Sequence, residues 1–436
     1  MPILNSVYRQ REAGRPLTEL ADYRRAGGYS GLRHALTEME PDEVLYAFHR
    51  SGLRGRGGAG FPMGRKASFL PKDAPLPAYV VCNADESEPG TFKDREIMEL
   101  NPFQLIEGIT IAAFAIGARR GYIYIRGEYE HQARVLDAAL KAARAAGYLG
   151  LGVCRSSFDF DITLYRGAGA YICGEETGLL ESLEGKRGMP RLKPPFPAVA
   201  GLYASPTLIN NVETLAAIPP ILEKGPDWYA SLGTEKSTGT KIFSVSGHVN
   251  RPGNYEVVLG DTTLRELLHD MAGGFRPGRR LKACWVGGSS VPVLGEQHLD
   301  TPLDYESLAA AGTFLGSAGC IAMDDSGCIV RASLRLASFY RHESCGKCTP
   351  CREGTTWMER VLQRIVDGDG RMEDLDLLES MFGRIAGRVL CALADGAVAP
   401  VQSALRLFRE DFVRAVREGS PAPEPMSPER EVLAHG

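Results

Sequence analysis

The sequence predicts an α/β protein that carries two further modules, a β-grasp module and a C-terminal helical bundle. Between about residues 77 and 220, short apolar strands alternate with helical segments, which is the pattern of a sheet covered by helices. From 241 to about 319 the order is strand, turn, strand, helix, strand. From about 331 onward the periodicity is helical. We therefore predict four segments: 1–75, 76–235, 236–330 and 331–436.

Composition excludes several classes of protein. A chain of 436 residues should hold about three domains, and 44% hydrophobic with 24% charged residues is ordinary for a soluble globular protein. A net charge of −4 lacks the basic excess that nucleic-acid binding needs. The most apolar stretch, 105–118, contains Glu107 and is too short to span a bilayer. We find no secretory leader pattern and expect a cytoplasmic protein without direct membrane insertion.

The α/β region opens with a helical and loop-rich segment up to about residue 75, and its strands follow. Residues 79–82, 122–125 and 160–165 are predicted strands because they are apolar and β-branched or aromatic. Asn101 and Pro102 predict the start of a helix that runs toward Gly117, and Gly147 predicts the end of the next helix.

The predicted β-grasp module follows a polar, glycine-rich stretch at 233–239, which we interpret as a linker. Residues 242–246 alternate in polarity, as a half-buried strand does. Thr262 and Thr263 are placed to cap a helix that ends at Gly273 and Gly274. No internal repeat is found.

A glycine-rich loop at 55–64 is the first candidate binding element. A G-x-G-x-x-G pattern binds dinucleotides when it follows a strand and opens a helix, whereas this loop follows a helical segment, so we reject the Rossmann interpretation. Backbone without side chains still lets a flat or anionic ligand approach closely. Arg56 and Lys66 supply positive charge, and Phe61 and Phe69 can stack on a ring. The alternative is a flexible surface loop.

Acidic residues follow the strand at 79–82 directly. Asp85, Glu86 and Glu88 lie where α/β proteins bind ligands, at the carboxyl end of a strand. Carboxylates suit ribose hydroxyls and ring N–H groups, so phosphates should lie elsewhere in the pocket. The alternative is a solvated acidic turn.

Further candidates come from three later segments. Glycines at 167–174 clear space after a strand, and a helix that begins near Glu175 offers free N–H groups. A proline-rich segment at 191–197 can hold one cation and one aromatic side chain. Asn210 and Asn211 precede a helix, where they either cap it or also contact a phosphate.

The cysteine pattern carries the strongest signal. Cys345, Cys348 and Cys351 have C-x2-C-x2-C spacing, and Cys391 lies downstream. Three close thiolates and one remote thiolate suit the four corners of a 4Fe–4S cubane. Structural zinc sites more often pair two separated C-x2-C knuckles. Zinc and unligated core cysteines stay open as alternatives. The other cysteines are predicted to pack in the core, least clearly Cys173, which lies in a glycine-rich loop.

Together these segments resemble the NADH-binding flavoprotein subunits of respiratory complex I. The motifs are 54–62 (RGRGGAGFP), 82–90 (CNADESEPG), 167–177 (GAGAYICGEET), 194–197 (PPFP), 210–214 (NNVET) and 343–354 (ESCGKCTPCREG). The resemblance covers about residues 30 to 415. Met63 and Ala67 depart from the family pattern, which affects only the expected packing around the NADH entrance.

The resemblance implies a non-Rossmann domain at 76–235 that holds FMN, with NADH stacked on it, and a 4Fe–4S cluster in the bundle. Cys345, Cys348, Cys351 and Cys391 would be its ligands. Glu88 and Glu176 would position the nicotinamide, and no side chain would act as a nucleophile or base. The expected cofactor-binding residues are Gly55, Arg56, Gly57, Gly58, Ala59, Gly60, Phe61, Gly64, Lys66, Phe69, Asn83, Asp85, Glu86, Glu88, Tyr171, Gly174, Glu175, Glu176, Lys193, Phe196, Asn210, Asn211 and Thr214.

The implied activity is NADH dehydrogenation. FMN would accept a hydride from NADH, and electrons would pass singly through the 4Fe–4S cluster toward quinone. The implied partners are a thioredoxin-like 2Fe–2S subunit and a large iron–sulfur subunit, in the peripheral arm on the cytoplasmic side of the inner membrane. A diaphorase subunit of an NAD-linked hydrogenase or formate dehydrogenase is the nearest alternative. A zinc-stapled scaffold is an alternative of another class.

Overall fold

A computed structural model describes residues 16–419. It contains two four-stranded sheets and a C-terminal group of helices, which confirms the predicted fold class. Residues 1–15 of the predicted first segment and 420–436 of the predicted last segment lie outside the described residues.

The two sheets are separate along the chain. The first sheet contains β1 (Tyr79–Ala84), β2 (Arg120–Ile125), β3 (Asp161–Arg166) and β4 (Thr207–Asn211). The second contains β5 (Thr240–Gly247), β6 (Gly253–Val258), β7 (Leu281–Val286) and β8 (Gly319–Asp324).

The helices fall into groups before, around and after the sheets. In the α/β region they are α1 (Leu20–Arg25), α2 (Ser30–Glu38), α3 (Pro41–Arg50), α4 (Met63–Ser68), α5 (Lys93–Leu100), α6 (Pro102–Ala115), α7 (Glu130–Ala145), α8 (Glu176–Leu183), α9 (Pro197–Ala200), α10 (Val212–Ala216), α11 (Ile218–Lys224) and α12 (Pro226–Ala230). The second half contains a π-helix (Glu266–Met271), α13 (Tyr305–Ala310), α14 (Ile329–Glu343), α15 (Thr349–Asp367), α16 (Met372–Ile385), α17 (Leu393–Leu407) and α18 (Arg409–Glu418). Short 3-10 turns occupy Val153–Arg155, Tyr171–Gly174, Leu202–Ala204 and Glu296–His298.

The first sheet is parallel throughout, in the order β3-β2-β1-β4. The chain moves from β1 outward to β3 and then returns to the other side of β1, so the strand order reverses between β1 and β4. Asn83 of β1 lies opposite Asn211 of β4. In open α/β sheets the carboxyl ends of strands at such a reversal form the ligand crevice. The topology therefore predicts a ligand site at the carboxyl ends of β1 and β4.

Local sequence signals account for the start of α6 and the end of α7. The Asn101 side chain accepts a hydrogen bond from the Gln104 N–H, and Pro102 occupies the first helical position of α6, as predicted. Gly147, just past α7, has a φ of 75°, the left-handed conformation that glycine adopts most easily. Both helix boundaries follow from the sequence.

Helix α6 is buried along almost its whole length, and its only charged residue, Glu107, is hydrogen-bonded within the protein. Glu107 accepts hydrogen bonds from the backbone N–H groups of Tyr29 and Leu32 and from the Tyr23 hydroxyl. Helix α2 has no side-chain cap of its own at Tyr29. The Glu107 carboxylate therefore caps α2 from a distant part of the chain.

The first sheet is covered on both faces. Val80, Cys82 and Ala84 of β1 face a core built with the surrounding helices, whereas Val81 faces a second core shared with the C-terminal helices. A strand buried on both faces reads as a continuous apolar run, which explains why 79–82 carries no polar alternation.

The second sheet has the order β6-β5-β8-β7, with β5 parallel to β8 and the outer pairs antiparallel. Parallel pairing of the first and last strands is the β-grasp arrangement that the element order predicted. The prediction of alternating burial for 242–246 was wrong, because these residues are buried except Ser246, which is partly buried. A central strand packed on both faces loses the polar-out alternation.

The polar stretch at 233–239 is not a free linker. Ser237 is fully buried, Thr238 is 6% exposed, and Gly233 pairs with Thr238. The Thr238 carbonyl accepts a hydrogen bond from Arg56. The prediction of a linker was wrong because small polar residues here bond to other parts of the protein instead of to water. The Thr238 hydroxyl donates to the Ser51 carbonyl, and the Ser237 hydroxyl donates to Glu306.

Helices α14 to α18 form the C-terminal bundle, and their apolar faces share one core with the second face of the first sheet. Met63 and Ala67 are buried in the core on the sheet's other face, so their departure from the family pattern falls in the interior. Among residues 16–419, no helix has the length and apolar character that crossing a membrane requires.

Candidate functional site

A cavity of about 410 Å³ opens at the carboxyl ends of β1 and β4. This is where the reversal of strand order predicts a ligand crevice. Ten of the sequence-predicted residues line it: Gly57, Asn83, Asp85, Glu86, Glu88, Tyr171, Gly174, Glu175, Asn211 and Cys391.

The segment after β1 forms one wall. The Asn83 amide donates to the Gly174 carbonyl, which ties β1 to the second glycine-rich segment. Asp85 is 8% exposed and accepts a hydrogen bond from the Ser87 hydroxyl. Burial raises the pKa of Asp85 to about 7, although the Ser87 bond opposes the shift. The wall thus presents a carboxyl group whose ionised form is disfavoured by burial.

Glu86 has a structural task besides lining the cavity. Its two oxygens accept hydrogen bonds from the backbone N–H groups of Asp94 and Arg95 and from the Tyr129 hydroxyl. Those N–H groups belong to the first turn of α5, whose N-cap residue Phe92 offers no side-chain cap. Glu86 therefore anchors α5 against the cavity.

Asn210 and Asn211 end β4 next to the cavity. The Asn211 side chain accepts from the Glu213 N–H, so it caps α10 as predicted, and it donates to Asp94. Asn210 is 6% exposed, and its buried Nδ2 atom has no hydrogen-bond partner in the protein. A buried donor without an acceptor is costly, so this atom fits a polar ligand such as the FMN ribityl or phosphate group.

A group of buried charges includes two residues that line the cavity, Lys93 and Asp94. The Lys93 ammonium lies 2.7 Å from Asp94 and 3.0 Å from Glu213, and Lys241 of β5 lies 2.5 Å from Glu213. Burial alone would raise the pKa of Glu213, but Lys241, Lys93 and Arg56 hold it below its usual range. This charge cluster joins the first sheet to the β-grasp module.

Arg56 is placed differently from what its position in a binding loop suggested. It is 1% exposed, and its guanidinium donates to the Thr238 carbonyl and the Tyr229 hydroxyl. Its backbone N–H donates to the Thr214 hydroxyl, which is also fully buried. The side chain therefore ties the glycine loop to the protein interior and does not line the cavity.

The glycines of the loop serve different purposes. A Cβ on Gly57 would lie 2.9 Å from Asn211, so this position keeps the cavity edge open. Gly58 has a φ of 147° and open space, and Gly60 has a φ of 63° and packs on Tyr305. Gly64 packs against the backbone of α3. Gly55 donates to the Phe61 carbonyl and closes the loop, in which Ala59 is exposed.

Three aromatic side chains are exposed just outside the cavity. Phe61, Phe69 and Phe196 are 41%, 49% and 57% exposed. Phe61 and Phe69 are 6.1 Å apart, and the Arg65 guanidinium lies 5.9 Å from each ring. Exposed rings beside a cation suit a flat heterocycle that would cover them.

Two lysines and two glutamates link these aromatics to the cavity. Lys193 lies 2.9 Å from both Glu175 and Glu176, and Lys66 lies 2.9 Å from Glu176. Burial raises the pKa of Glu176, but the two lysines outweigh it and hold the pKa below its usual value. Because Glu175 also lines the cavity, this group of ion pairs connects Lys193 to the cavity wall.

The four predicted cluster ligands come together at the start of two helices. Cys348 is the N-cap residue of α15, Cys351 lies in its first turn, and Cys391 precedes α17. Burial raises the pKa of Cys351, and the nearby Cys345 and Cys348 raise it further. Burial also raises the pKa of Cys391 to about 11, with Cys345 and Cys351 adding to the shift.

Hydrogen bonds and dipoles around these thiols fit an anionic cluster. The Leu390 N–H donates to the Cys348 sulfur at 3.4 Å, and the Ser344 hydroxyl lies 3.2 Å from the Cys351 sulfur. The positive ends of α15 and α17 also point here. Within 16–419, no three His, Cys, Asp or Glu side chains surround one ion position.

Sequence reasoning missed several residues of this surface. The cavity wall also includes Lys93, Asp94, Thr91, Ser290, Phe314, Ser317, Asp395 and Ala399. Lys93 and Asp94 follow the acidic segment directly, so continuing that motif by a few residues would have found them. Gly287 and Gly288 follow β7, the same glycine-after-strand signal that marked 167–174.

The fold and the site define an iron–sulfur flavoprotein oxidoreductase. Three family models match the chain: the Nuo51 FMN-binding domain over residues 48–220, the SLBB domain over 242–294, and the NADH-ubiquinone oxidoreductase-F iron-sulfur binding region over 331–415. These matches confirm FMN and a 4Fe–4S cluster as the cofactors.

The chain belongs to the family of NADH-quinone oxidoreductase F subunits. It is 54% identical to the F 2 subunit of Rhizobium meliloti, over 92% of this chain and 94% of that protein. It is 53% identical to the F subunit of Streptomyces coelicolor, over 94% and 90%. A crystal structure of an NAD+-reducing [NiFe]-hydrogenase superimposes with a TM-score of 0.80 at 34% identity, covering 94% of this chain and 68% of that one. The chain is thus an oxidoreductase subunit of a multisubunit complex.

Proposed function

We propose that this chain is the NADH-oxidising subunit of complex I and that the cavity, the exposed aromatics and the four cysteines are its working parts. The observation that carries the proposal is that Cys391 lines the same cavity as Asn83, Asp85 and Glu175. A ligand in the cavity would therefore lie directly beside one ligand of the cluster. Close contact between donor and acceptor is what electron transfer between two cofactors requires.

FMN would supply the conversion of a two-electron hydride acceptor into a one-electron donor, with the 4Fe–4S cluster as the acceptor. The chain itself binds and orients. Asn210, Asn211 and the backbone near Gly57 would hold the polar end of the flavin. Phe196 and Phe61 would cover the adenine and nicotinamide ends of NADH, and Glu176 with Lys66 and Lys193 would hold the ribose hydroxyls and diphosphate. The pairing of opposite charges at the mouth keeps it ordered before NADH arrives.

The wider assignments stay predictions. They are the segment boundaries 1–75, 76–235, 236–330 and 331–436, and the partners, a thioredoxin-like 2Fe–2S subunit and a large iron–sulfur subunit. The expected place is the peripheral arm, on the cytoplasmic side of the inner membrane. Three of the four cluster cysteines are only partly buried, which supports an exit for electrons near the protein surface. Purification of the whole complex with identification of its chains tests the partners.

The ligand assignment is tested by Cys348→Ala in the holoprotein. We expect loss of the low-temperature EPR signal of the reduced cluster, while FMN stays bound and is still reduced by NADH, because Cys348 is not among the residues that line the cavity. Cys328→Ala is the matched control, since Cys328 is a half-buried cysteine at the start of α14 that we do not assign as a ligand. Survival of the EPR signal in Cys348→Ala would contradict the assignment.

A diaphorase role is the second candidate. It is favoured by the structural similarity to the NAD+-reducing hydrogenase, whose chain extends beyond this one, since 68% of it is covered. The higher identity and the 94% coverage of the Rhizobium F 2 subunit favour complex I. Co-purification with hydrogenase subunits would decide for the diaphorase role.

A further inference from the structure

Glu88 is held by all three parts of the molecule at once. The Tyr171 hydroxyl, from the α/β region, donates to its Oε2 atom at 2.6 Å. Its Oε1 atom accepts from the Ser290 N–H at 2.7 Å and the Ser289 hydroxyl at 3.1 Å, both in the loop after β7 of the β-grasp module. The Tyr340 hydroxyl of α14 lies 3.4 Å from the same oxygen.

The bonds form a chain that leads from the cavity toward the cluster. The Ser289 and Tyr340 hydroxyls are 2.6 Å apart, and both residues are fully buried. Tyr340 lies on the last turn of α14, which ends at Glu343, two residues before Cys345. Glu343 itself accepts a hydrogen bond from the Tyr171 N–H. The end of α14 is therefore bonded to the cavity wall at two points.

The space around Glu88 leaves it little freedom. A Cβ on Gly288 would lie 2.4 Å from the Glu88 side chain, so the loop backbone packs directly on the carboxylate. Burial raises the pKa of Glu88, and the donors from Tyr171, Ser290 and Ser289 oppose that shift. A buried carboxylate with donors on both oxygens keeps one orientation, because turning it would leave several polar groups unpaired.

We propose that Tyr340 and Ser289 are positioning residues that hold Glu88 in the orientation in which it meets the nicotinamide. The β-grasp module is then an internal part of the nucleotide site. This inference rests on the proposed function and on the prediction from the sequence that Glu88 positions the nicotinamide. Neither Tyr340 nor Ser289 lies among the cavity-lining residues, so their hydroxyls act through Glu88. The Tyr340 ring also packs on Tyr171, with 5.9 Å between ring centroids, and Tyr340→Phe retains that contact.

A loss of positioning should change nucleotide binding more than the chemical step. When the Tyr340 hydroxyl is removed, the Ser289 hydroxyl loses one of its two partners, and Glu88 can leave the orientation set by Tyr171. The bound nicotinamide then meets a carboxylate in several orientations, which weakens binding while the hydride donor and acceptor stay the same.

The test uses the full chain with FMN and cluster, as wild type, Tyr340→Phe, Ser289→Ala, Glu88→Gln and the double variant Tyr340→Phe/Glu88→Gln. Affinity for NAD+ is measured from the change in flavin absorbance during titration, and KM and kcat for NADH are measured with ferricyanide. Tyr148→Phe is the matched control. It also removes a buried tyrosine hydroxyl with a side-chain partner, Arg33, and that tyrosine is part of the first core.

We expect Tyr340→Phe and Ser289→Ala each to raise the NAD+ Kd and the NADH KM about fivefold, with kcat within twofold of wild type and FMN fully retained. Tyr148→Phe should leave all four values unchanged. In the double variant the Kd should equal that of Glu88→Gln alone, because a residue that acts through Glu88 has nothing left to position.

Three results would overturn the inference. The first two are a Kd and KM within twofold of wild type in both single variants, and a double variant in which the two effects multiply. Loss of FMN from Ser289→Ala and Tyr340→Phe would do the same, since it would make their role structural. Failure of the proposed function is distinct from these outcomes, because there the wild-type flavin itself would not be reduced by NADH.

Discussion

The inner wall of the cavity and its outer mouth differ in burial and in the kind of side chain they present. On the inner wall, Lys93 and Asp94 are almost fully buried, and Lys93 pairs with both Asp94 and the buried Glu213. At the mouth, Phe61 is 41% exposed and Phe196 is 57% exposed. The charges of the wall are paired within the protein, whereas we expect the exposed rings at the mouth to become buried when a ligand binds.

This difference in burial separates effects on the free energy of folding from effects on the free energy of ligand binding. Changes in the wall should act on folding and flavin retention, because they leave buried charges without partners. Changes at the mouth should act on nucleotide affinity and leave stability alone, because exposed side chains contribute little to the folded core. Substitutions in each region test whether buried residues govern stability and exposed residues govern nucleotide affinity.

The largest effect is expected for Glu213→Ala. Removal of this carboxylate leaves Lys93 and Lys241 without their shared partner and also removes the acceptor of the Ile242 N–H. Breaking a buried ion pair on one side costs about 3–5 kcal/mol, so we expect urea unfolding to show a loss of that size together with loss of FMN. Asp137→Ala, which removes the exposed partner of Lys141 on α7, should cost about 0.5 kcal/mol at most. A Glu213→Ala protein as stable as the control would show that the charge cluster is not structural.

A pH-dependent effect is expected for Asp85→Asn in the flavin-free protein. The folded-state pKa of Asp85 is raised to about 7, so between about pH 4 and 7 the unfolded chain releases a proton that the folded chain keeps. Wild-type stability therefore falls across this range relative to Asp85→Asn, by about 1.4 kcal/mol per unit of pKa shift, and the difference is constant above pH 7.

Urea unfolding of both proteins between pH 5 and 8 measures this difference. Asp376→Asn is the control, because that side chain is 77% exposed and its substitution should give a difference from wild type that does not change with pH. A flat difference for Asp85→Asn would mean that Asp85 is charged at no cost in the folded protein.

The smallest effect on stability and a clear effect on affinity are expected for Phe196→Ala. A base stacked on an aromatic ring gains about 1–3 kcal/mol, so the KM for NADH should rise about tenfold, with kcat and the melting temperature nearly unchanged. Leu192→Ala, at a 73% exposed site in the same segment, should change neither value. An unchanged KM in Phe196→Ala would remove this ring from the nucleotide site.

Much of the fold could be predicted from local signals. Apolar runs marked β1 to β3, Asn101 and Pro102 marked the start of α6, and the cysteine spacing by itself indicated the cluster. These features depend on a few neighbouring residues, whose spacing alone decides their conformation. The carboxyl ends of strands also predicted where the cavity would lie, because parallel strands end at the same edge of a sheet.

Other features could not be predicted from local pattern. Arg56 looked like a ligand-binding cation, yet its guanidinium points inward to Thr238, more than 180 residues away in the chain. The segment at 233–239 has a linker's composition but packs in the interior. Polar residues give the same local signal whether water or a buried carbonyl is their partner, and only the folded chain decides which of the two they meet.

The sequence by itself determined the kinds of element, the cofactor classes and the residues at the ends of β1 and β4, because those depend on residue type and short spacing. Only the tertiary structure decided that Ser289 and Tyr340 reach Glu88, and that Lys241 of the β-grasp module shares Glu213 with Lys93. Such contacts join residues far apart in the chain. They are needed because a buried charge costs free energy unless it is paired and hydrogen-bonded.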